Sequence, residues 1–269
     1  MKLGERTAET RDETRVHPSA LVDPEAELGV DVTVGPWAMI GPGVCVGDGS
    51  AIGPRVLIER DTTIGEGCRV ANGAVLGTDP QDIKYKGERS QLVVGDRTVI
   101  REFATLNRGS AASGRTTVGS DCLIMAYTHV AHDCEIGSHV VLANAVNMGG
   151  HVVIEDWAIV GGLTPIHQFV RIGAHAFVGG GSRIPQDVPP YCRAAGNPPK
   201  LYGLNTVGLE RRGFSEDVRV ALKEAYRILF RGREPLSAAV ERAEREVAGI
   251  PEVRHLLSFV RASERGITT

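Results

Sequence analysis

The sequence predicts a mainly β protein, a solenoid of six-residue repeats followed by a C-terminal α-helical domain. Three observations predict it. An aliphatic residue or Met recurs every sixth position without interruption from Val118 to Ile184. The residue after it is Gly in 14 of 26 such repeats, and the residue two before it is small or β-branched almost throughout, which fixes the phase. From Ser215 the apolar spacing becomes helical. A period of six belongs neither to a helix nor to an ordinary strand; it marks short units that bury an apolar face only by stacking.

Taken in order, Met1 to Arg15 is charged throughout and lacks the apolar segment of a signal peptide; it reads as a solvated lead-in. Eleven repeats then run in one phase from Val16 to Leu76. A gap follows over 77–93, three repeats resume at Val94, Ile100 and Leu106, and a second gap spans 107–117. Twelve repeats complete the run, so the solenoid is expected over 16–190 with two loops leaving it. Each repeat reads as a short strand with its aliphatic inward, a small residue at the corner, and a glycine where the backbone turns. Pro185, Pro189, Pro190, Pro198 and Pro199 end the pattern. Over 191–269 three helices are expected: one from Ser215, with Glu216 and Asp217 in its first turn, then Pro235–Val247 and Pro251–Arg261. Their plain role is to cover the last strand edges of the solenoid.

A net charge of −3 gives no basic face for nucleic acid. No apolar run is long enough to span a membrane. Five cysteines without a CxxC pair fit reduced thiols in the cytoplasm; Cys68, Cys122 and Cys134 occupy small-residue positions and read as packing groups.

The repeats need only aliphatic, small and glycine residues, so the chemistry must lie in the exceptions. Six of the eight histidines fall in the last run: His129, His132, His139, His151, His167 and His175. In a coil of three repeats, residues eighteen apart stack. His132 then lies under Gly150 and Gln168, Asp133 under His151, and Gly149 under His167. A neutral imidazole beside a carboxylate can act as a general base, the carboxylate holding its tautomer. The Gly150 N–H could stabilise an oxyanion. The first loop, Thr78 to Glu88, is rich in polar groups suited to a ligand.

The pattern resembles the hexapeptide-repeat acyltransferases, and this resemblance implies a left-handed parallel β-helix with three repeats per coil, about 40 Å tall at ~4.8 Å per strand. The segments PQDIKYKGE (80–88), HVAHDCEIG (129–137), GGHV (149–152), IHQF (166–169), QDVPPY (186–191) and GLERRGFS (208–215) are similar, in the same order, to the UDP-N-acetylglucosamine O-acyltransferases of lipid A synthesis. That resemblance implies an O-acyltransferase moving an (R)-3-hydroxyacyl chain from acyl carrier protein to the sugar 3-hydroxyl. His132 would be the base, Asp133 its support and Gly150 the oxyanion donor. Asp82, Lys84, His129, His151, His167 and Gln168 would line the pocket, and Asn205, Arg211 and Arg212 would meet the nucleotide. Gly180 would set acyl length, its open groove admitting about fourteen carbons. The family works as a homotrimer with sites between subunits, and needs no cofactor. Acyl carrier protein is acidic, and Arg171, Arg183 and Arg193 form a candidate basic patch for it.

Two departures bear on specificity: Asn107 stands where a His is common, and Asn197-Pro198 replaces a common Asn-His pair. The first opens the alternative of a 3-amino sugar acceptor. The same repeat fold hosts γ-class carbonic anhydrases, whose zinc ligands include histidines five apart; the intervals here are 3, 7, 12, 16 and 8, so no metal is expected. A later N-acyltransferase of the pathway carries a uridine-binding domain ahead of its repeats, whereas these begin at Val16. A structural scaffold would leave the stacked His132, Asp133, Gly150 and His151 unexplained.

Overall fold

The computed structural model describes residues 13–269. Of the lead-in expected over 1–15, residues 1–12 lie outside the described residues, and Arg15–Val16 already forms the first strand. From Val16 to Val178 every inward aliphatic lies in a short strand, and the last, Ile184, makes an isolated bridge to Ile166. Strands eighteen residues apart pair in parallel, Leu123 with Val141 and Val141 with Ile159. They build three sheets of eleven, eight and eight strands, the three faces of a prism. The chain visits them in turn: the first face starts at Arg15–Val16, the second at Leu21–Val22, the third at Glu27–Leu28.

The prism is filled by the two residue classes that carry the period. Val130, Leu142 and Val160 point inward from the strands, Val140, Val152 and Ala158 from the corners, and all are fully buried. Each coil turns at three edges, and from Asp31 to Gly181 the tight turns use a residue in the left-handed region. Tyr127, Asp133 and His139 do this in one coil, at φ 61, 58 and 59°. Such conformations cost of order 1 kcal/mol for a residue with a side chain. Stacking of the turn side chains from coil to coil offsets it: His139 lies 3.9 Å from Trp157, and His175 5.7 Å from Tyr191. Where a glycine follows the aliphatic, it has another reason than turning. A Cβ on Gly119 would sit 2.6–2.7 Å from the backbone of Gly137 and Ser138 in the next coil, so these glycines let coils stack closely.

The strands run further into the expected loops than the sequence suggests. Val75–Thr78 and Gln91–Val94 leave an excursion of 79–90, and Thr105–Asn107 and Arg115–Val118 leave one of 108–114. The region from 191 is not helical throughout. Cys192–Gly196 pairs in parallel with the prism strand Phe177–Val178 and antiparallel with Pro199–Leu204, prolonging the first face. Pro199 opens its strand, a position that needs no N–H from it.

Four helices follow: α1 (Thr206–Arg211), α2 (Glu216–Arg231), α3 (Leu236–Val247) and α4 (Pro251–Arg261). Ser215 caps α2 through its hydroxyl, which accepts from the Val218 N–H at 3.4 Å. The short α1 carries no apolar period and was not expected; Asn205 nucleates it by accepting from the Gly208 N–H at 3.3 Å. The helices bury their own core around Leu222, Val253, Leu256 and Phe259. They are tied to the prism by polar links. Tyr191 Oη meets His255 Nδ1 at 2.9 Å, and His255 Nε2 lies 3.0 Å from Glu155. Asp187, fully buried, accepts from the Arg171 N–H and the Ser263 hydroxyl.

Candidate active site

The edge between the second and third faces collects the chemistry. Both excursions leave there, since each joins a second-face strand to a third-face strand. The next coils bring His132 and Asp133, then Gly150 and His151, then Gln168 and Phe169, to the same edge. His151 N donates to His132 O at 3.1 Å and Phe169 N to Gly150 O at 3.1 Å, which fixes this stacking order.

His132 Nδ1 lies 2.7 Å from Asp133 Oδ2. The Asp133 side chain is fully buried, yet well supplied with donors. Oδ1 accepts from the Ser110 N–H at 2.9 Å and from the Ser113 N–H and hydroxyl; Oδ2 accepts from the Ser110 hydroxyl at 2.7 Å. Burial raises the tendency of Asp133 to stay protonated. Donation from Ser113, His132 and Ser110 outweighs that and holds the carboxyl well below its ordinary range. An ionised Asp133 requires Nδ1 of a neutral His132 to carry the proton, which leaves the Nε2 lone pair free.

Gly150 closes against that ring. A Cβ there would lie 2.5 Å from His132 Cε1 and 2.7 Å from Nε2, so no side chain fits without displacing the imidazole. Its N–H donates to no group among the described residues. His151 packs edge-on to His132 with ring centres 5.3 Å apart, and flat on Phe169 at 4.6 Å. His129, on the outward side of the second face, meets Thr105 Oγ1 at 2.7 Å; burial, then the nearby His132, lowers its affinity for a proton. His167 Nδ1 lies 3.0 Å from Arg265 Nη2, beside the exposed Gln168.

Asp82 and Lys84 stand on the first excursion, where the Lys84 N–H donates to Asp82 Oδ1 at 2.9 Å and closes a tight turn. The two are therefore on the His132 edge, two coils away. Four other expected residues are not on it. Gly180 lies beside the left-handed Gly181 at the edge between the first and second faces. Asn205 and Arg212 belong to the third edge: Asn205 Nδ2 donates to His175 O at 3.0 Å, and Arg212 lies 3.4 Å from His175 Nδ1 and over the Trp157 ring. Arg211, the last residue of α1, is exposed. Asn205 is 93% buried with its amide engaged on both sides, an internal cap in this chain.

The basic patch needs correcting. Arg171 pairs with Glu155 at 3.5 Å and lies over the Phe259 ring, so it is committed to the helical domain. Arg193 instead joins Arg219, Lys223, Arg227 and Arg231 around a cleft of about 550 Å³ between the hairpin and α2.

His132, Asp133 and His151 also gather ligand-type atoms within 4.8 Å of one another. Both carboxylate oxygens are already taken by serine donors, so Asp133 stands as a hydrogen-bonded partner of the His132 imidazole.

Residues 187–268 match the model of the second domain of UDP-N-acetylglucosamine O-acyltransferase, and 46–78 and 115–150 match the bacterial transferase hexapeptide. An acyl-(acyl-carrier-protein)–UDP-N-acetylglucosamine O-acyltransferase of Myxococcus xanthus is 54% identical over 255 residues, 94% of this chain and 99% of the relative. The chain belongs to this O-acyltransferase family. A similarly named protein of an Anaeromyxobacter species is 45% identical, with the same coverage. The solved UDP-N-acetylglucosamine acyltransferase of Bacteroides fragilis superposes with a TM-score of 0.92 at 39% identity, covering 94% of this chain and 99% of that one. That of Campylobacter jejuni gives 0.90 at 39% identity, with 95% and 99% covered.

Within this acyltransferase, sequence reasoning missed Ser110, Ser113 and Thr116, whose hydroxyls hold Asp133 or its N–H. A signal was present. Counting repeats in threes puts Leu76, Leu106 and Val130 on one face, so both loops and His132 must share an edge.

Proposed function

We propose that this acyltransferase moves a 3-hydroxyacyl chain from acyl carrier protein to the 3-hydroxyl of UDP-N-acetylglucosamine, the first step of lipid A synthesis. The observation that carries the mechanism is the buried, ionised Asp133 fixing His132 with its Nε2 free, against a side-chain-less Gly150. His132 Nε2 takes the hydroxyl proton as the oxygen attacks the thioester carbonyl. The carbon–oxygen bond forms, the carbon–sulfur bond breaks, and the imidazolium returns its proton to the leaving thiolate. Asp133 stabilises the imidazolium, and the Gly150 N–H offers a donor to the oxyanion. Asp82, Lys84, His129, His151, His167 and Gln168 line the acceptor and acyl pocket on that edge.

The working form is a homotrimer. Two features support this. Gly180, Asn205, Arg211 and Arg212 stand on other edges, and three-fold related copies would bring those edges to a neighbour's His132. The first face also carries an outward apolar column, Val99, Leu123, Val141, Ile159 and Phe177, in consecutive coils. The other two faces show no such column there: Thr105, His129 and Asn147 occupy the second, Thr117, Glu135 and Val153 the third. A continuous apolar patch of this kind marks an association surface. Gly180, exposed and without a side chain, leaves room for a chain of about fourteen carbons. The reaction belongs in the cytoplasm, where five free thiols persist.

A mass-spectrometric transfer assay tests the reading. 3-Hydroxyacyl carrier proteins of several lengths are offered with UDP-N-acetylglucosamine or its 3-amino analogue. His132→Ala should lower the rate by a factor of roughly 10² or more. Product unchanged in that variant would remove His132 from the mechanism; preference for the 3-amino sugar would overturn the acceptor.

A further inference from the structure

Arg108 is the largest fully buried side chain in the described protein, and the prism core does not use it. A guanidinium is taken out of water only at a cost, so its partners show what it is there to hold. All of them lie on the first excursion or at its root. Nη1 donates to Gly77 O at 2.5 Å, and Nη2 donates to the Asp79 carboxylate and to Tyr85 Oη at 3.2 Å. Tyr85 Oη in turn donates to Glu88 O at 3.0 Å. Asn107 adds donations to Thr78 Oγ1 and Asp79 O, and the Arg108 N–H donates to Thr78 O. The loop is thus gripped at its start and middle, and Asp82 and Lys84 are left outward between those grips.

The same short segment holds the other half of the site. Two residues after Arg108, Ser110 grips Asp133, and Ser113 grips it again. Between them Gly109 has no freedom to grow: a Cβ would meet the Arg115 Cα at 2.5 Å. Its N–H is bonded to Gln91 O, and Gly114 closes on Ser110 O at 2.8 Å. One rigid stretch therefore touches the loop bearing Asp82 and Lys84 at one end and the His132–Asp133 pair at the other.

We propose that residues 108–113 are a positioning clamp, in which Arg108 sets the acceptor-binding loop and Ser110 with Ser113 sets the base, so that sugar and His132 are held at a fixed separation. This rests on the acceptor role given to Asp82 and Lys84 above. None of these three residues touches substrate; they act through the groups they hold.

The test is a division of kinetic effects. Arg108→Met should raise KM for UDP-N-acetylglucosamine tenfold or more while kcat stays within threefold. Ser113→Ala should do the reverse, lowering kcat tenfold or more and moving the acid limb of the kcat profile to higher pH, with Ser113→Thr restoring both. Tyr85→Phe removes one oxygen from a surface loop and tests the Arg108 half even where Arg108→Met fails to fold; its KM for the sugar nucleotide should rise severalfold at unchanged kcat. If Arg108→Met and Tyr85→Phe leave KM unchanged, or if all variants lower kcat and raise KM together, the clamp is wrong. Wild-type protein without transferase activity would instead sink the functional reading on which it rests.

Discussion

At the residue scale the site is a matter of what each position may not contain. Gly150 may not carry a Cβ, because the His132 ring occupies that volume, while its own conformation lies outside the left-handed range. Gly150→Ala should therefore leave the thermal midpoint nearly unchanged and lower kcat by a factor of 10 to 10², roughly the effect of misplacing a general base. Thermal denaturation and the transfer assay, run side by side, check it; a variant as active as wild type would mean that the ring need not stand against Gly150. The stacking of His132 under Gly150 and of Asp133 under His151 was legible from sequence because eighteen-residue periodicity converts spacing into contact. Ser110 and Ser113 were not legible as partners of Asp133, since they lie on an excursion whose path no period dictates. Asn205 shows the opposite limit. Its motif is legible in the sequence, but only the fold shows its Oδ1 accepting from the Gly208 N–H and its Nδ2 donating to His175 O.

The elements repeat that lesson in a different form. Strands in the coils follow directly from the aliphatic period, whereas the hairpin Cys192–Leu204 has none and in sequence reads as the start of the helical region. Its first strand pairs with the prism because the last coil presents unpaired backbone groups there, and pairing outweighs the prolines around it. The turns carry a titratable ladder as well. His175, stacked between Trp157 and Tyr191, is pushed from its ordinary 6.5 down to about 4, by burial first and then by the Arg212 guanidinium. The unfolded chain then takes up this proton near pH 6.5, and the folded protein only near 4. Stability must fall as pH drops through that window and level off below it, because there the unfolded state binds more protons. His175→Phe should flatten this part of the midpoint-versus-pH curve, each kcal/mol being about 2–4 °C in a chain of this size. A slope identical to wild type would place the titration elsewhere.

For the molecule as a whole, the three faces are chemically unequal although the repeat that builds them is uniform. The inward pattern fixed the prism, but the outward positions were free, and over the later coils the first face alone spent them on an apolar column, Val99, Leu123, Val141, Ile159 and Phe177. Substituting Val141→Lys with Ile159→Lys should leave the prism folded by circular dichroism. For the trimer proposed above, it should reduce the mass measured by light scattering from three chains to one and lower activity at least tenfold, as charges are desolvated at the proposed association surface. An unchanged mass would move the association surface to another face. The two excursions teach something further. They lengthen their coils from eighteen residues to thirty and twenty-four, that is by twelve and six, yet each returns to the edge it left. No later residue changes face. The edge behaves as a rack with slots at one strand spacing, about 4.8 Å, into which peptide of any content can be set without disturbing its neighbours. New recognition could thus arise by exchanging a slot's contents while the His132–Asp133 pair, two slots along from the first, is inherited intact.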